Sequence, residues 1–359
     1  MSQLSFDLRS IGATEELYAQ LTPYAGCGSV LGRVSAVHRE RYQVYCDRGE
    51  LRAEATGALL CGASGPAELP AVGDWVAMRV TAPGEALIDA VLPRHTRFSR
   101  RAAGDRQEEQ VIAANIDWIL IVCGLDGDFN LRRAERYLIL ALESGAEPVI
   151  VLNKADVCDD VPARIAEVRT VAGRTPVIAV CARSAEGIRP LEPLLGAGRT
   201  IALLGSSGVG KSTIVNRLLG EERQRVQEVR EADSRGRHTT ARRELIPLPN
   251  GGALIDTPGM REVQLWAGRE RLDGAFEEVA RLAGMCRFRD CAHESEPGCA
   301  VQAALAAGRL DSARWRSYQK LRAEVAWHGR QADIHAAMEE KRRWKKIHKA
   351  MRRQNRIFR

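Results

Sequence analysis

The sequence predicts a multidomain α/β protein in three parts. They are an N-terminal OB-type β-barrel over residues 1–95, a P-loop α/β domain over 96–265, and a zinc-binding helical domain over 266–359. Three observations carry this expectation. Short β-rich runs crowd residues 28–93, buried strands then alternate with amphipathic helices from Ile116 onward, and three cysteines and a histidine cluster between positions 286 and 299.

In the first part the β-rich runs are Val30 to Val37, Tyr42 to Cys46, Leu51 to Thr56, Asp74 to Val80 and Ala86 to Leu92. Turn signals separate them, among them Asp47-Arg48-Gly49, Gly62-Ala63-Ser64-Gly65-Pro66 and Ala82-Pro83-Gly84. Five strands in this length fit a small OB-type barrel, a frequent platform for single strands and RNA loops; a structural or SH3-like barrel has the same count. A connector with Arg94, Arg97, Arg100, Arg101 and Arg106 follows, either a second phosphate-contacting stretch or an exposed linker.

Strands are expected next at Asp117 to Cys123, Pro148 to Leu152, Val177 to Val180, Thr200 to Leu204 and Ala253 to Ile255. Helices are expected at Leu131 to Glu143, Pro162 to Ala172 and Lys211 to Leu219. Such alternation implies a parallel sheet with helices on its faces, and a ligand at the carboxyl ends of the strands. Two motifs fall on that edge. Gly205-Ser206-Ser207-Gly208-Val209-Gly210-Lys211-Ser212 is a complete phosphate loop between a strand and a helix that continues through Thr213. Its glycines leave backbone N–H groups free to face phosphate oxygens, Lys211 reaches the terminal phosphates, and Ser212 can bind Mg2+. Asn153-Lys154-Ala155-Asp156 follows an earlier strand. In this pattern the Asp carboxylate accepts from guanine N1–H and the exocyclic amine, a donor pair adenine lacks, and the Lys stem covers the ring. The base-reading motif therefore precedes the phosphate loop, the reverse of the usual order.

Asp256-Thr257-Pro258-Gly259 comes after the loop, where a nucleotide hydrolase keeps an Asp near Mg2+ and a glycine N–H that senses the γ-phosphate. Thr239 and Thr240 lie between; one of them is expected to close over Mg2+ and the γ-phosphate, and spacing alone does not choose. Met260 stands where many small GTPases carry a water-orienting glutamine, and a thioether cannot orient water. His238 is the nearest side chain able to do so; a packing histidine in the same segment is the other reading. From Asp256 to Gly259 the chain runs straight into the C-terminal part, so nucleotide state is expected to move that part.

The chain has 359 residues and a net charge of +7, but Lys341 to Arg359 alone holds ten Lys or Arg and no acid. The basicity is thus local. Interleaved with Trp344, Ile347, Met351, Ile357 and Phe358, it fits an arm for a polyanion, most simply RNA, or else a solvated charged helix end. The N-terminus lacks a secretory pattern, and Trp118 to Cys123 is far too short to span a bilayer, which implies a cytoplasmic protein with no membrane partner. Nine scattered cysteines do not outline a disulfide framework. Cys286, Cys291, His293 and Cys299 instead form Cys-x4-Cys-x-His-x5-Cys, a ligand set suited to one tetrahedral Zn2+ with no open position, hence structural. Beyond it Arg314, Trp315, Tyr318, Leu321 and Val325 keep helical spacing, an aromatic stripe read as core.

The order of these motifs resembles the circularly permuted GTPases. Gln110 to Asp117, Arg235-Gly236-Arg237-His238-Thr239-Thr240 and the cysteine cluster resemble, more narrowly, the bacterial small-subunit-dependent GTPases of the RsgA family. The resemblance spans nearly the whole chain. It implies an OB domain, a permuted P-loop GTPase domain and a zinc domain, with GTP hydrolysed to GDP under stimulation by the small ribosomal subunit during late maturation. It further implies contact with 16S rRNA, a monomer off the ribosome, Mg2+ with GTP, and His238 as the catalytic histidine beside Lys211, Thr239 and Thr240. The implied nucleotide site comprises Asn153, Lys154, Ala155, Asp156, Gly205 to Thr213, Asp256 and Gly259. Two positions depart from the family pattern: Cys181-Ala182 replaces a Ser-Ala pair at the guanine, and Ala241 replaces a third threonine. Two other classes remain compatible, a zinc-dependent RNA-binding protein that uses GTP only as a conformational ligand, and a P-loop ATPase or kinase.

Overall fold

The computed structural model describes residues 6–38, 41–101, 109–127, 129–220, 243–256, 272–274, 276–327 and 330. Two compact units emerge: residues 1–100 with 109–264, and 101–108 with 265–359.

The first unit begins with a barrel of β1 (Val30–His38), β2 (Arg41–Cys46), β3 (Gly49–Ala55), β4 (Trp75–Ala82) and β5 (Glu85–Val91). Its strands run in the order β1-β2-β3-β5-β4, and β4 closes on β1. All barrel pairs are antiparallel except β3 with β5, the closure of an OB barrel. Alternation decides which side chains enter: Tyr42, Val44 and Cys46 on β2 point inward and meet Val34, Val76, Met78 and Ile88. The stretch after β3 is more than a turn, because Thr56 accepts from the Leu59 N–H and caps a short helix, Gly57–Gly62.

A parallel sheet follows, ordered β10-β9-β8-β11-β13, from β8 (Trp118–Gly124), β9 (Glu147–Asn153), β10 (Val177–Ala179), β11 (Thr200–Leu204) and β13 (Ala253–Asp256). Its central strands are apolar on both faces because helices cover both sides. The long helices here are Leu131–Ser144, Val161–Ala172 and Lys211–Leu219. Asn130 and Asp160 side chains cap the first two, and Gly145 and Gly220 end the first and third in the left-handed conformation. The strand that links barrel and sheet escaped the sequence reading. β12 (Glu244–Pro247) pairs antiparallel with β13 and, through Ala36 opposite Glu244, with β1, so barrel and parallel sheet share one hydrogen-bonded sheet.

The arginine connector carries two paired strands, β6 (Arg97–Arg101) and β7 (Glu109–Ala114), and is not a plain linker. Arg94 is committed to the fold: its guanidinium grips buried Asp74 at 2.7 and 2.6 Å and donates to the Ala67 and Leu69 carbonyls. Arg97 pairs with Glu109 at 3.4 Å and Arg100 donates to Gln110. Arg106 lies outside the described residues.

At the junction of barrel and sheet sits Arg33 of β1, 1% exposed. It donates to the carbonyls of Ile11, Gly73 and Asn115 and to Thr200 Oγ1 at 2.7 Å, and lies over the Trp75 ring. Burial pulls its guanidinium down to about 10, so it remains charged at neutral pH. Gly73 (φ +88°) must be glycine here, since a Cβ would meet the Ala114 carbonyl oxygen at 2.3 Å. Ser10 O accepts from the N–H groups of Gly198 and Gly252, tying the N-terminal segment to the roots of β11 and β13. The run Gln110 to Asp117 serves this joint. Asn115 bridges His95 and Gly73, and Asp117 holds the Thr200 N–H at 2.7 Å.

The second unit contains α-helices Glu277–Gly284 and Ala300–Ala306 and another over 312–327. The aromatic stripe is core. Trp315 and Tyr318 stack at 5.6 Å, Phe276 meets Tyr318 edge-on, and Arg314 lies over Phe276 while bonding Glu278 at 2.6 Å. The basic run from Lys341 lies outside the described residues.

Candidate functional site

The phosphate loop joins β11 to the helix Lys211–Leu219, whose N-terminus opens onto it. Gly208 and Gly210 have φ of +79° and +93°. Gly210 is required on two counts, because an added Cβ would also lie 2.2 Å from Asn153 Nδ2. Lys211 Nζ donates to the carbonyls of Gly205 (2.8 Å) and Ser206 (2.5 Å), which folds the ammonium into the loop. Ser212 and Thr213 occupy the first turn of the helix, half-buried.

Asn153 ends β9, the second neighbour of β11 across β8. Its buried side chain does what the motif order alone leaves open. Nδ2 donates to the Val209 carbonyl of the phosphate loop at 2.9 Å, and Oδ1 accepts the Ala182 N–H at 3.0 Å. One amide thus ties three loops, and two stretches 56 residues apart meet at a single bond. Lys154 adopts a left-handed backbone (φ +66°), uncommon for a lysine and typical of residues held for a purpose; its ammonium pairs with Asp126. Ala155 N–H bonds the Val180 carbonyl, and Asp156 bonds Arg183 at 3.2 Å.

Three contributors were not legible in the sequence. Arg217, on the helix after the phosphate loop, donates to the carbonyls of Ala182 (3.3 Å) and Arg183 (2.5 Å); Asp126 and Arg133 are the others. The Cys181-Ala182 departure is explained by this geometry. The loop is anchored through the backbone of Ala182, by Asn153 and Arg217, and the 181 side chain is not the anchor in these bonds. Asp256 ends β13 at the same sheet edge. His238, Thr239, Thr240, Gly259 and the link over 257–271 lie outside the described residues.

In the second unit the ligating atoms of Cys286, Cys291, His293 and Cys299 all lie within 4.8 Å of one another. Cys286 Sγ and Cys299 Sγ are 3.9 Å apart, and His293 Nδ1 is 3.5 and 3.6 Å from them. Tetrahedral Zn2+ with ordinary bond lengths requires about 3.8 Å between sulfurs and about 3.5 Å from sulfur to nitrogen, so these three donors match it, and Cys291 supplies a fourth donor within 4.8 Å. His293 is fixed twice over: Gln302 bonds its carbonyl at 2.6 Å, and the Trp315 ring meets its imidazole edge-on at 5.8 Å. Among the described residues, Cys46, Cys61, Cys123, Cys158, Cys181 and the three cluster cysteines form no disulfide. Among the described residues no helix is long and apolar enough to cross a membrane.

An OB barrel joined to a P-loop sheet whose Asn-Lys-x-Asp strand precedes its phosphate-loop strand defines a circularly permuted GTPase. The family model of the RsgA GTPase matches residues 91–266. A small ribosomal subunit biogenesis GTPase RsgA of Opitutus terrae is 48% identical, with 98% of each chain covered; one from Lactiplantibacillus plantarum is 46% identical over 91% of each. Among solved structures, YjeQ from Thermotoga maritima aligns with TM-score 0.63 and 25% identity, covering 83% of this chain and 99% of that one. YloQ, a circularly permuted GTPase, gives TM-score 0.60 at 20% identity, covering 84% and 96%, and supports the fold. The chain belongs to the RsgA GTPase family.

Proposed function

We propose that this GTPase acts in biogenesis of the small ribosomal subunit, hydrolysing GTP to GDP and phosphate in the cytoplasm under stimulation by the subunit. Its relatives carry that role in their names, over nearly the full length of this chain. The observation that carries the nucleotide reading is the Asn153 amide, which fastens the base-reading segment to the phosphate loop. In this reading Asp156 selects guanine, Lys154 covers the ring, and Gly205 to Thr213 cradle the phosphates with Lys211 as counter-charge. Ser212, Asp256 and one of Thr239 and Thr240 hold Mg2+, which neutralises developing phosphate charge when bound, while Gly259 senses the γ-phosphate and His238 orients the water. Cys286, Cys291, His293 and Cys299 hold one structural Zn2+. The barrel and basic tail grip 16S rRNA, and the free protein is a monomer.

Multiple-turnover hydrolysis with and without purified small subunits tests this. Stimulation of at least about tenfold is expected, by analogy with trans-activated GTPases. An unchanged rate would favour GTP as a conformational ligand of an RNA-binding protein.

A further inference from the structure

The turn from β8 into the helix Leu131–Ser144 received no role from the sequence, yet it touches both halves of the nucleotide site. Leu125 N–H bonds the Asn153 carbonyl at 2.8 Å, and the next residue, Asp126, pairs with Lys154. At the other end Asn130 caps the helix by accepting the Arg133 N–H at 3.1 Å, which fixes where the Arg133 side chain starts. Arg133 Nη1 then donates to Ser206 Oγ at 2.9 Å. Ser206 is the loop residue whose carbonyl accepts from Lys211 at 2.5 Å. Arg133, Ser206, Val209, Cys123 and Tyr137 line one narrow cleft between sheet, helix and loop.

We propose that Asp126 and Arg133 are positioning residues of the nucleotide site, Asp126 setting Lys154 for the base and Arg133 setting the phosphate loop through Ser206. The two act on different parts of the ligand. A lysine with a left-handed backbone has its stem direction fixed at the main chain, and an anionic partner then fixes its far end, so Asp126 governs contact with the base. A phosphate loop binds through the orientation of its N–H groups, so a guanidinium bonded to a loop side chain restricts that orientation and adds positive charge at the loop. The consequence is separable: Asp126 influences guanine ligands regardless of phosphate number, and Arg133 influences GDP and GTP, whose phosphates reach the loop, while sparing GMP.

This inference rests on the guanine-nucleotide reading, and the test keeps the two apart. Affinities of the full-length protein for GMP, GDP and GTP are measured by competition against a fluorescent GDP, for wild type, Asp126→Asn, Arg133→Met and Arg133→Lys, with melting temperature recorded for each. Arg133→Met is expected to weaken GDP and GTP by about tenfold while leaving GMP within about twofold, the size of one charge-assisted hydrogen bond, and Arg133→Lys recovers part of that loss. Asp126→Asn is expected to weaken all three by one common factor of about fivefold. Equal loss for all three ligands in Arg133→Met, or no loss in either variant at unchanged melting temperature, overturns the inference. Failure of the wild type to bind guanine nucleotides defeats the underlying reading instead.

Discussion

The barrel is joined to the phosphate-loop domain by a shared sheet and a buried arginine, whereas the C-terminal unit gathers three cysteines and a histidine into a cluster able to hold a metal ion. The first joint is made of ordinary protein matter. Arg33 satisfies three carbonyls and a hydroxyl from four chain segments, β1 pairs with β12, and Gly73 admits a close backbone approach. The second unit stacks Trp315, Tyr318 and Phe276 beside a Cys3His cluster, with a small apolar core behind it. Two appendages of similar length in the sequence therefore depend on different physics. One should fail by mutation of its joint, the other by loss of the Zn2+ proposed for it.

The largest effect follows from that contrast. Stripping metal with a strong chelator removes on the order of 10 kcal/mol of binding energy from the C-terminal unit. Hydrogen exchange over 277–327 is expected to lose its protection while β1 to β5 keep theirs; uniform loss, or none, would erase the distinction. Next comes Arg33→Met, which leaves several buried acceptors unpaired and is expected to cost the first unit about 3 kcal/mol in urea unfolding without altering exchange in 277–327. Asn153→Ala breaks two bonds that tie three loops, and should weaken GDP by about 30-fold in a direct titration while the metal site still holds zinc. The smallest is Thr200→Val, which removes one acceptor of Arg33 for about 1 kcal/mol. A double cycle with Arg33→Met should show coupling, since the two share that bond.

Strand periodicity, loop glycines and motif spacing are local properties, and they made the barrel, the parallel sheet, the phosphate loop and the cysteine cluster legible. What was not legible depends on who meets whom. Glu244 to Pro247 reads as an unremarkable run and becomes a strand only because β13 and β1 lie on either side. Arg94 read as a phosphate contact or part of an exposed linker because its partner, Asp74, is 20 residues earlier. Gln110 to Asp117 carried the family likeness, yet only the structure shows that Asn115 and Asp117 serve the joint. Asp126, Arg133 and Arg217 act through side-chain reach between elements, and no local pattern marks them.

The central claim is that two stretches inverted in chain order hold one guanine nucleotide, Asp156 reading the base and Gly205 to Ser212 the phosphates. Comparing GDP with xanthosine diphosphate on wild type and Asp156→Asn tests it most directly. A carboxylate accepts from both donors of guanine, while an amide at the same place matches the carbonyl that xanthine carries instead. The account predicts a preference for GDP that inverts toward the xanthine nucleotide in Asp156→Asn by about two orders of magnitude. An unchanged preference would contradict it.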